Sequence, residues 1–304
     1  MRQGKKWPAY LGLPRRELAA RAEALEELAS PCRLCPRECG ARRKEGERGA
    51  CRAGLRPWVA SFGPHFGEER VLVGRGGSGT IFLTGCNLHC RFCQNYEISQ
   101  LGEGREISLE ELAGWMLRLQ ELGCENLNFV TPTHQAPQLI AALALAREAG
   151  LRLPVVWNCG GYESVAALRL LVDIVDIYMP DFKYGDSQVA AQLSQAPGYF
   201  EVAQAALKEM HRQVGDLEVR DGIARRGLLV RHLVLPEGLA HSKKVFQFLA
   251  SEISPRTAVN VMAQYYPTYR AWEDPRLARR LTQEEYRRAL EEAKECGLVR
   301  AGPY

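Results

Sequence analysis

From about residue 79 the chain alternates short apolar, β-branched runs with longer helical patterns, and this alternation most narrows what it can fold into. Strands separated by helical stretches pair in parallel through βα crossovers, giving an α/β sheet with helices packed on it. The runs predict six strands, at residues 80–84, 126–131, 154–157, 174–179, 228–235 and 258–264. Helical patterns fall at 14–29, 108–122, 136–149, 164–172, 188–214, 242–251 and 282–296. Six βα units fall short of a closed eight-stranded barrel. In α/β barrels the reactive groups come from strand C-terminal ends and the loops after them. Polar residues follow each of the six runs.

The rest of the composition excludes more than it assigns. At 304 residues the chain holds one large domain or two smaller ones, and 46% hydrophobic with 25% charged residues is ordinary for a globular protein. No apolar run approaches the ~20 residues of a membrane span. The basic start, Met1 to Pro8, lacks the apolar core of a signal peptide. The expectation is a cytoplasmic protein, away from membranes, whose clustered cysteines are metal ligands rather than disulfides. No long-period repeat is visible, which argues against a solenoid. A net charge of +4 does not by itself imply nucleic acid.

Directly after the first strand come Cys86, Cys90 and Cys93, spaced C-x3-C-x2-C. A [4Fe–4S] cluster is usually held by four thiolates. Three leave one iron free to bind something that reacts. The competing readings are three core cysteines, or a zinc knuckle in which His89 supplies the fourth ligand.

This spacing resembles the signature of the radical SAM superfamily. The resemblance implies a [4Fe–4S] cluster on Cys86, Cys90 and Cys93, with S-adenosylmethionine (SAM) chelated at the open iron. It implies reductive cleavage to methionine and a 5′-deoxyadenosyl radical that abstracts hydrogen, on a partial (β/α)6 barrel. Phe92 matches the aromatic that packs on the adenine. The second strand ends Thr131-Pro132-Thr133-His134, where many superfamily members carry a Gly-Gly-Glu-Pro-like turn for the SAM amino group. Hydroxyls and carbonyls of Thr131 and Thr133 are the available substitutes. His134 reads either as a substrate-side acid or base or as a structural histidine. The third strand ends Asn158-Cys159-Gly160-Gly161, with Asn158 able to donate and accept at a ribose.

The fourth strand ends Met179-Pro180-Asp181-Phe182-Lys183, placing a carboxylate and an ammonium on one side of the chain. Lys183 is the candidate for the SAM carboxylate, with Asp181 orienting it or helping to coordinate a cation; a surface ion pair is the plain alternative. This M-x-D-x-K run is similar to the corresponding stretch of pyruvate formate-lyase activating enzymes. So is Arg231 on the fifth strand, a fork for a carboxylate, although alternation leaves open whether Arg231 or His232 faces inward. Gln264 and a tyrosine follow the sixth. Residues 86–96, 130–134, 158–162, 178–183, 231–236 and 260–267 together resemble the family of pyruvate formate-lyase activating enzyme-like radical SAM proteins. That implies a glycyl-radical enzyme as protein substrate and a reduced flavodoxin or ferredoxin as electron donor.

Residues 31–56 are rich in Cys, Arg and Gly, with too few apolar residues for a core of their own. Cys32, Cys35, Cys39 and Cys51 therefore predict a metal-held segment, with either a second iron–sulfur cluster or zinc. The surrounding arginines form a basic face, solvated or turned to an acidic partner. The organisation expected is a helix and Cys-rich segment over 1–60, then a barrel domain over 61–304. Rival functions are radical SAM chemistry on a small metabolite or nucleic acid, and an iron–sulfur electron-transfer or SAM-binding scaffold protein.

Overall fold

The structure is a computed structural model that describes residues 7–304; residues 1–6, the basic start, lie outside the described residues. Among the described residues ten strands form one sheet: β1 (Trp58–His65), β2 (Ser78–Leu83), β3 (Arg105–Glu106), β4 (Leu127–Val130), β5 (Val155–Cys159), β6 (Ile177–Pro180), β7 (Glu218–Arg220), β8 (Ile223–Leu233), β9 (Ala258–Met262) and β10 (Ala301–Gly302). The main helices are α1 (Glu17–Leu28), α2 (Arg70–Val73), α3 (Leu109–Glu121), α4 (Ala136–Glu148), α5 (Val165–Arg169), α6 (Ser187–Ser194), α7 (Tyr199–Val214), α8 (Ser242–Phe248) and α9 (Gln283–Glu295).

The six expected strands are present as β2, β4, β5, β6, β8 and β9, each parallel to the next. The sheet runs β10-β9-β8-β6-β5-β4-β2-β1-β3 and ends on two short strands, so the (β/α)6 core stays open. β1 pairs antiparallel with β2 and extends the sheet on one side. The periodicity does not reveal β1, because Gly63 and Pro64 read as a turn. Pro64 is accommodated because β3 pairs only with Trp58 and Val59, leaving the outer side of Pro64 without a ladder to break. The two-residue β3 and β10 and the β7–β8 hairpin also escape the pattern.

Strand alternation separates two faces. Val156, Ile177, Met179, Leu229 and Ala258 form one apolar cluster around Leu72 of α2, which plugs the beginning of the lumen. One step further along the same faces come Asn158, Asp181, Arg231 and Asn260, all at the cavity described below. The interior is thus apolar at strand starts and polar at strand ends. On the outer face, Trp157, Tyr178, Val230 and Val261 join the main core under the helices. Tyr10, Leu18, Leu25 and Leu34 belong to that same core.

One expected helix, 188–214, is two. Gln195 and Gly198 adopt left-handed backbone, φ 50° and 63°, around Pro197, which ends α6 and starts α7. The break frees carbonyls at the end of α6, and these hold the cysteine loop. Leu193 O accepts from Arg91 N at 2.8 Å and Ser194 O from His89 N at 3.0 Å. The interruption is therefore what anchors the loop.

Candidate active site

Cys86, Cys90 and Cys93 all line one cavity of about 410 Å3 at the C-terminal ends of the parallel strands. Each thiol is oriented by its neighbours. Leu88 N donates to the Cys86 sulfur at 3.3 Å, the Ser194 hydroxyl to the Cys90 sulfur at 2.9 Å, and Cys93 shares a 3.1 Å hydrogen bond with Ser99. The loop is pinned by Asn87, whose side chain donates to Tyr162 O at 2.7 Å. Burial pushes the Cys86 and Cys90 thiols up, and the Lys183 ammonium pulls Cys90 back. Bare thiolates are costly here unless positive charge joins them. His89 is turned away, with Nδ1 3.0 Å from the Gln100 side chain, so the zinc-knuckle reading loses its fourth ligand.

Lys183 Nζ donates to Asp181 Oδ2 at 2.6 Å, and Arg231 Nε to Asp181 Oδ1 at 2.8 Å. Burial alone would raise the Asp181 carboxyl, but Arg231 and Lys183 outweigh it and hold it below the usual range. This is an enclosed three-member network rather than a surface pair. Arg231 also donates to Asn158 Oδ1 at 2.8 Å. The inward residue of β8 is therefore Arg231. His232 points outward, fully buried between Phe182 O at 2.7 Å and Ser242 Oγ at 2.9 Å. The fork expected to meet a ligand carboxylate is thus already bonded to Asp181 and Asn158.

Phe92 lines the cavity edge-on to Tyr265, with ring centroids 5.9 Å apart. Thr131 lines it too, with φ 60°, a conformation a β-branched residue rarely takes. Thr133 does not: its hydroxyl donates to Glu163 at 2.5 Å inside the core, and this internal bond removes it from the proposed SAM contacts. His134 is also structural. Nε2 lies 2.8 Å from Thr84 O, and burial pushes its pKa down to about 4.

The sequence reading missed Glu68 and Glu69. They enter the lumen from the β1–β2 connection, at the opposite end of the strands from the usual loops. Asn260 Nδ2 donates to Glu69 Oε1 at 3.0 Å, and Glu68 lies 3.8 Å from Arg231. Burial pushes the Glu68 carboxyl up to about 7, Arg231 opposes this, and Glu69 adds to it.

Two of the four amino-terminal thiols flank a buried cation. Arg43, 3% exposed, donates to the Cys32 sulfur at 3.2 Å and the Cys51 sulfur at 3.3 Å, and to His134 O at 2.6 Å. Burial raises Cys32, and lifts Cys35 to about 12. Burial also opposes ionisation of Cys39, but backbone N–H groups, Cys32 and Arg43 bring it net below its ordinary value. Among the described residues no three His, Cys, Asp or Glu side chains form a group that could hold a metal ion as they stand. Both cysteine sets are all-sulfur donors, the set that suits iron–sulfur or zinc.

An open α/β half-barrel with three thiols at its strand ends defines a class, and comparison with known proteins agrees. The family model described as the Radical SAM superfamily matches residues 80–223. Uncharacterized protein MJ0674 of Methanocaldococcus jannaschii is 36% identical over 291 residues, covering 92% of this chain and 79% of that protein. The chain belongs to the radical SAM superfamily, which uses a [4Fe–4S] cluster and S-adenosylmethionine. The pyruvate formate-lyase-activating enzyme of Listeria monocytogenes is 28% identical over 113 residues, 34% of this chain and 45% of that enzyme. Streptococcus suis SuiB, solved with its precursor peptide SuiA, superposes with TM-score 0.50 at 9% identity over 73% of this chain and 47% of that one, a likeness of fold alone. No helix among the described residues is long and apolar enough to cross a membrane.

Proposed function

We propose that this protein holds a [4Fe–4S] cluster on Cys86, Cys90 and Cys93 and activates a glycyl-radical enzyme by abstracting hydrogen from a backbone glycine. The observation that carries the first half is the shared cavity: three thiols, Cys90 buried and Cys86 and Cys93 half-buried, and the Lys183–Asp181–Arg231 network face the same space. The second half rests on the activase match and on the M-x-D-x-K run at Met179–Lys183. When bound, the cluster and SAM supply reductive cleavage of the sulfonium to methionine and a 5′-deoxyadenosyl radical.

The chain's own residues bind and orient. Lys183 offers its ammonium to the SAM carboxylate, and Asp181 fixes where that ammonium points. Asn158, held by Arg231, and Thr131 present polar atoms to the nucleoside. Phe92 presents a ring face for the adenine and helps to exclude water. Residues 61–304 carry this chemistry. Residues 1–60 carry a second centre, iron–sulfur or zinc, on Cys32, Cys35, Cys39 and Cys51. Electrons come from a reduced flavodoxin or ferredoxin.

Anaerobically reconstituted and reduced protein is expected to release 5′-deoxyadenosine from SAM. Mixed with a glycyl-radical enzyme encoded beside it, it is expected to give a doublet glycyl signal by EPR. SAM cleavage without that signal for any such partner would remove the activase assignment and leave the radical chemistry.

A further inference from the structure

Two of the carboxyls at the lumen, Glu68 and Glu69, lie side by side and share a hydrogen bond when Glu68 carries its proton. Asp181, Glu68 and Glu69 face the lumen with carboxyls, and Lys183 and Arg231 face it with cationic groups. Lys183 and Arg231 are both committed to Asp181, and Arg231 reaches Glu68 only at 3.8 Å. Glu69 is 4% exposed; Oε1 accepts from Asn260, no N–H or hydroxyl reaches the buried Oε2, and the one further group that meets this carboxylate is the Glu68 carboxyl when protonated. Leaving a buried carboxylate oxygen unmatched is destabilising, and this one stands at the wall of a cavity open to ligand.

Position matters as much as charge. The ion pairs run in sequence from Lys183, the cation nearest Cys90, through Asp181 and Arg231 to Glu68. The acid pair thus lies at the far end of this chain of ion pairs from the thiols, on the wall of the same cavity. Resting on the radical SAM reading above, we propose that Glu68 and Glu69 are the substrate-recognition end of the cavity and that they receive a cationic nitrogen, an ammonium or guanidinium. Such a group would satisfy Oε2 and take the place of the proton that the pair shares. Burial, together with the charge of Glu69, holds the Glu68 carboxyl near 7, so it is poised to ionise against an incoming cation.

The test is ligand-observed NMR on the reconstituted protein, with n-butylamine and agmatine against n-butanol and butyrate at fixed ionic strength. The amines are expected to bind at least tenfold more tightly than the neutral and anionic analogues, and Glu69→Gln to weaken them at least tenfold. Equal binding of n-butanol, or complete displacement of the amine by potassium at equal ionic strength, overturns the proposal on the wild-type protein, whatever the variant's folding. A peptide, acetyl-Gly-Arg-Gly-amide, distinguishes the source: tighter binding than agmatine points to a protein side chain, weaker binding to a free amine. SAM cleavage is followed in the same preparation. Cleavage without amine selectivity defeats this inference alone, and absence of cleavage defeats the reading beneath it.

Discussion

The two cysteine groups of this chain solve opposite problems. Cys86, Cys90 and Cys93 face open space, with their nearest cation, Lys183, held back by Asp181. Cys32 and Cys51 have a buried guanidinium inserted directly against their sulfurs. A centre with three thiolates and an open side can take a ligand; a centre on all four amino-terminal thiolates, two of them against Arg43, would hold structure or pass electrons. Yet the two touch. Gly85, the residue before Cys86, sits where a side-chain carbon would come within 2.4 Å of Cys51 O, and φ 82° there favours glycine. The closed group therefore buttresses the loop that carries the open one.

The strongest way to break this contrast is to remove a thiol from the closed group. Cys35→Ala is expected to abolish metal at the amino-terminal site and expose residues 31–56 to protease. Those residues have little apolar core of their own, so their order depends on metal–thiolate bonds. The barrel and its cluster should survive. Limited proteolysis with metal analysis reads this, and an ordered, metal-free segment would contradict it.

Glu163 tests the ground between the groups, since its charge reaches both Cys35 and Cys159 of the cavity. Burial pushes its carboxyl from 4.5 up to about 7. A raised carboxyl binds its proton more tightly folded than unfolded. Wild-type stability therefore falls as pH rises from about 4.5 to about 7, by about 3 kcal/mol for a shift of this size. Glu163→Gln keeps an acceptor for Thr133 and cannot ionise, so it should match the wild type at acid pH and exceed it above neutrality. Denaturant midpoints at several pH values measure the gap; a pH-independent gap would place the Glu163 charge outside the balance.

Lys183→Ala sharpens the open side. The cluster spectrum should persist while SAM affinity falls by roughly 1.5–3 kcal/mol, the size of a lost charge-assisted hydrogen bond. Unchanged affinity would return Lys183 to a structural ion pair. Arg43→Met sharpens the closed side: removing a partner beyond the ligands costs about 10–100-fold in metal affinity, read by chelator competition. Equal chelator resistance would mean that the guanidinium does not stabilise the centre.

Much of this was legible in advance because βα periodicity is a local signal and the site follows strand ends. Thr133 shows the limit of that rule: it follows a strand, but its side chain turns to a buried carboxylate that no local pattern reveals. Glu68 and Glu69 show the converse. They reach the lumen from strand beginnings, where the rule does not look, and only the packing of Leu72 into the barrel floor puts them there. Pro197 and Gly198 were readable as a helix break; the long apolar periodicity around them hid it. Arg43 could not be singled out among its neighbouring arginines without knowing which one the fold buries.

The central claim is that the open triad does the chemistry and the closed quartet supports it. Iron and zinc content, with 5′-deoxyadenosine release, measured side by side on the wild type, Cys90→Ala and Cys35→Ala proteins, tests it most directly. The wild type should hold about eight irons, or about four irons and one zinc, and release 5′-deoxyadenosine on reduction. Cys90→Ala should lose about four irons and all release, whereas Cys35→Ala should lose only the second centre. Full SAM cleavage by Cys90→Ala would contradict the account.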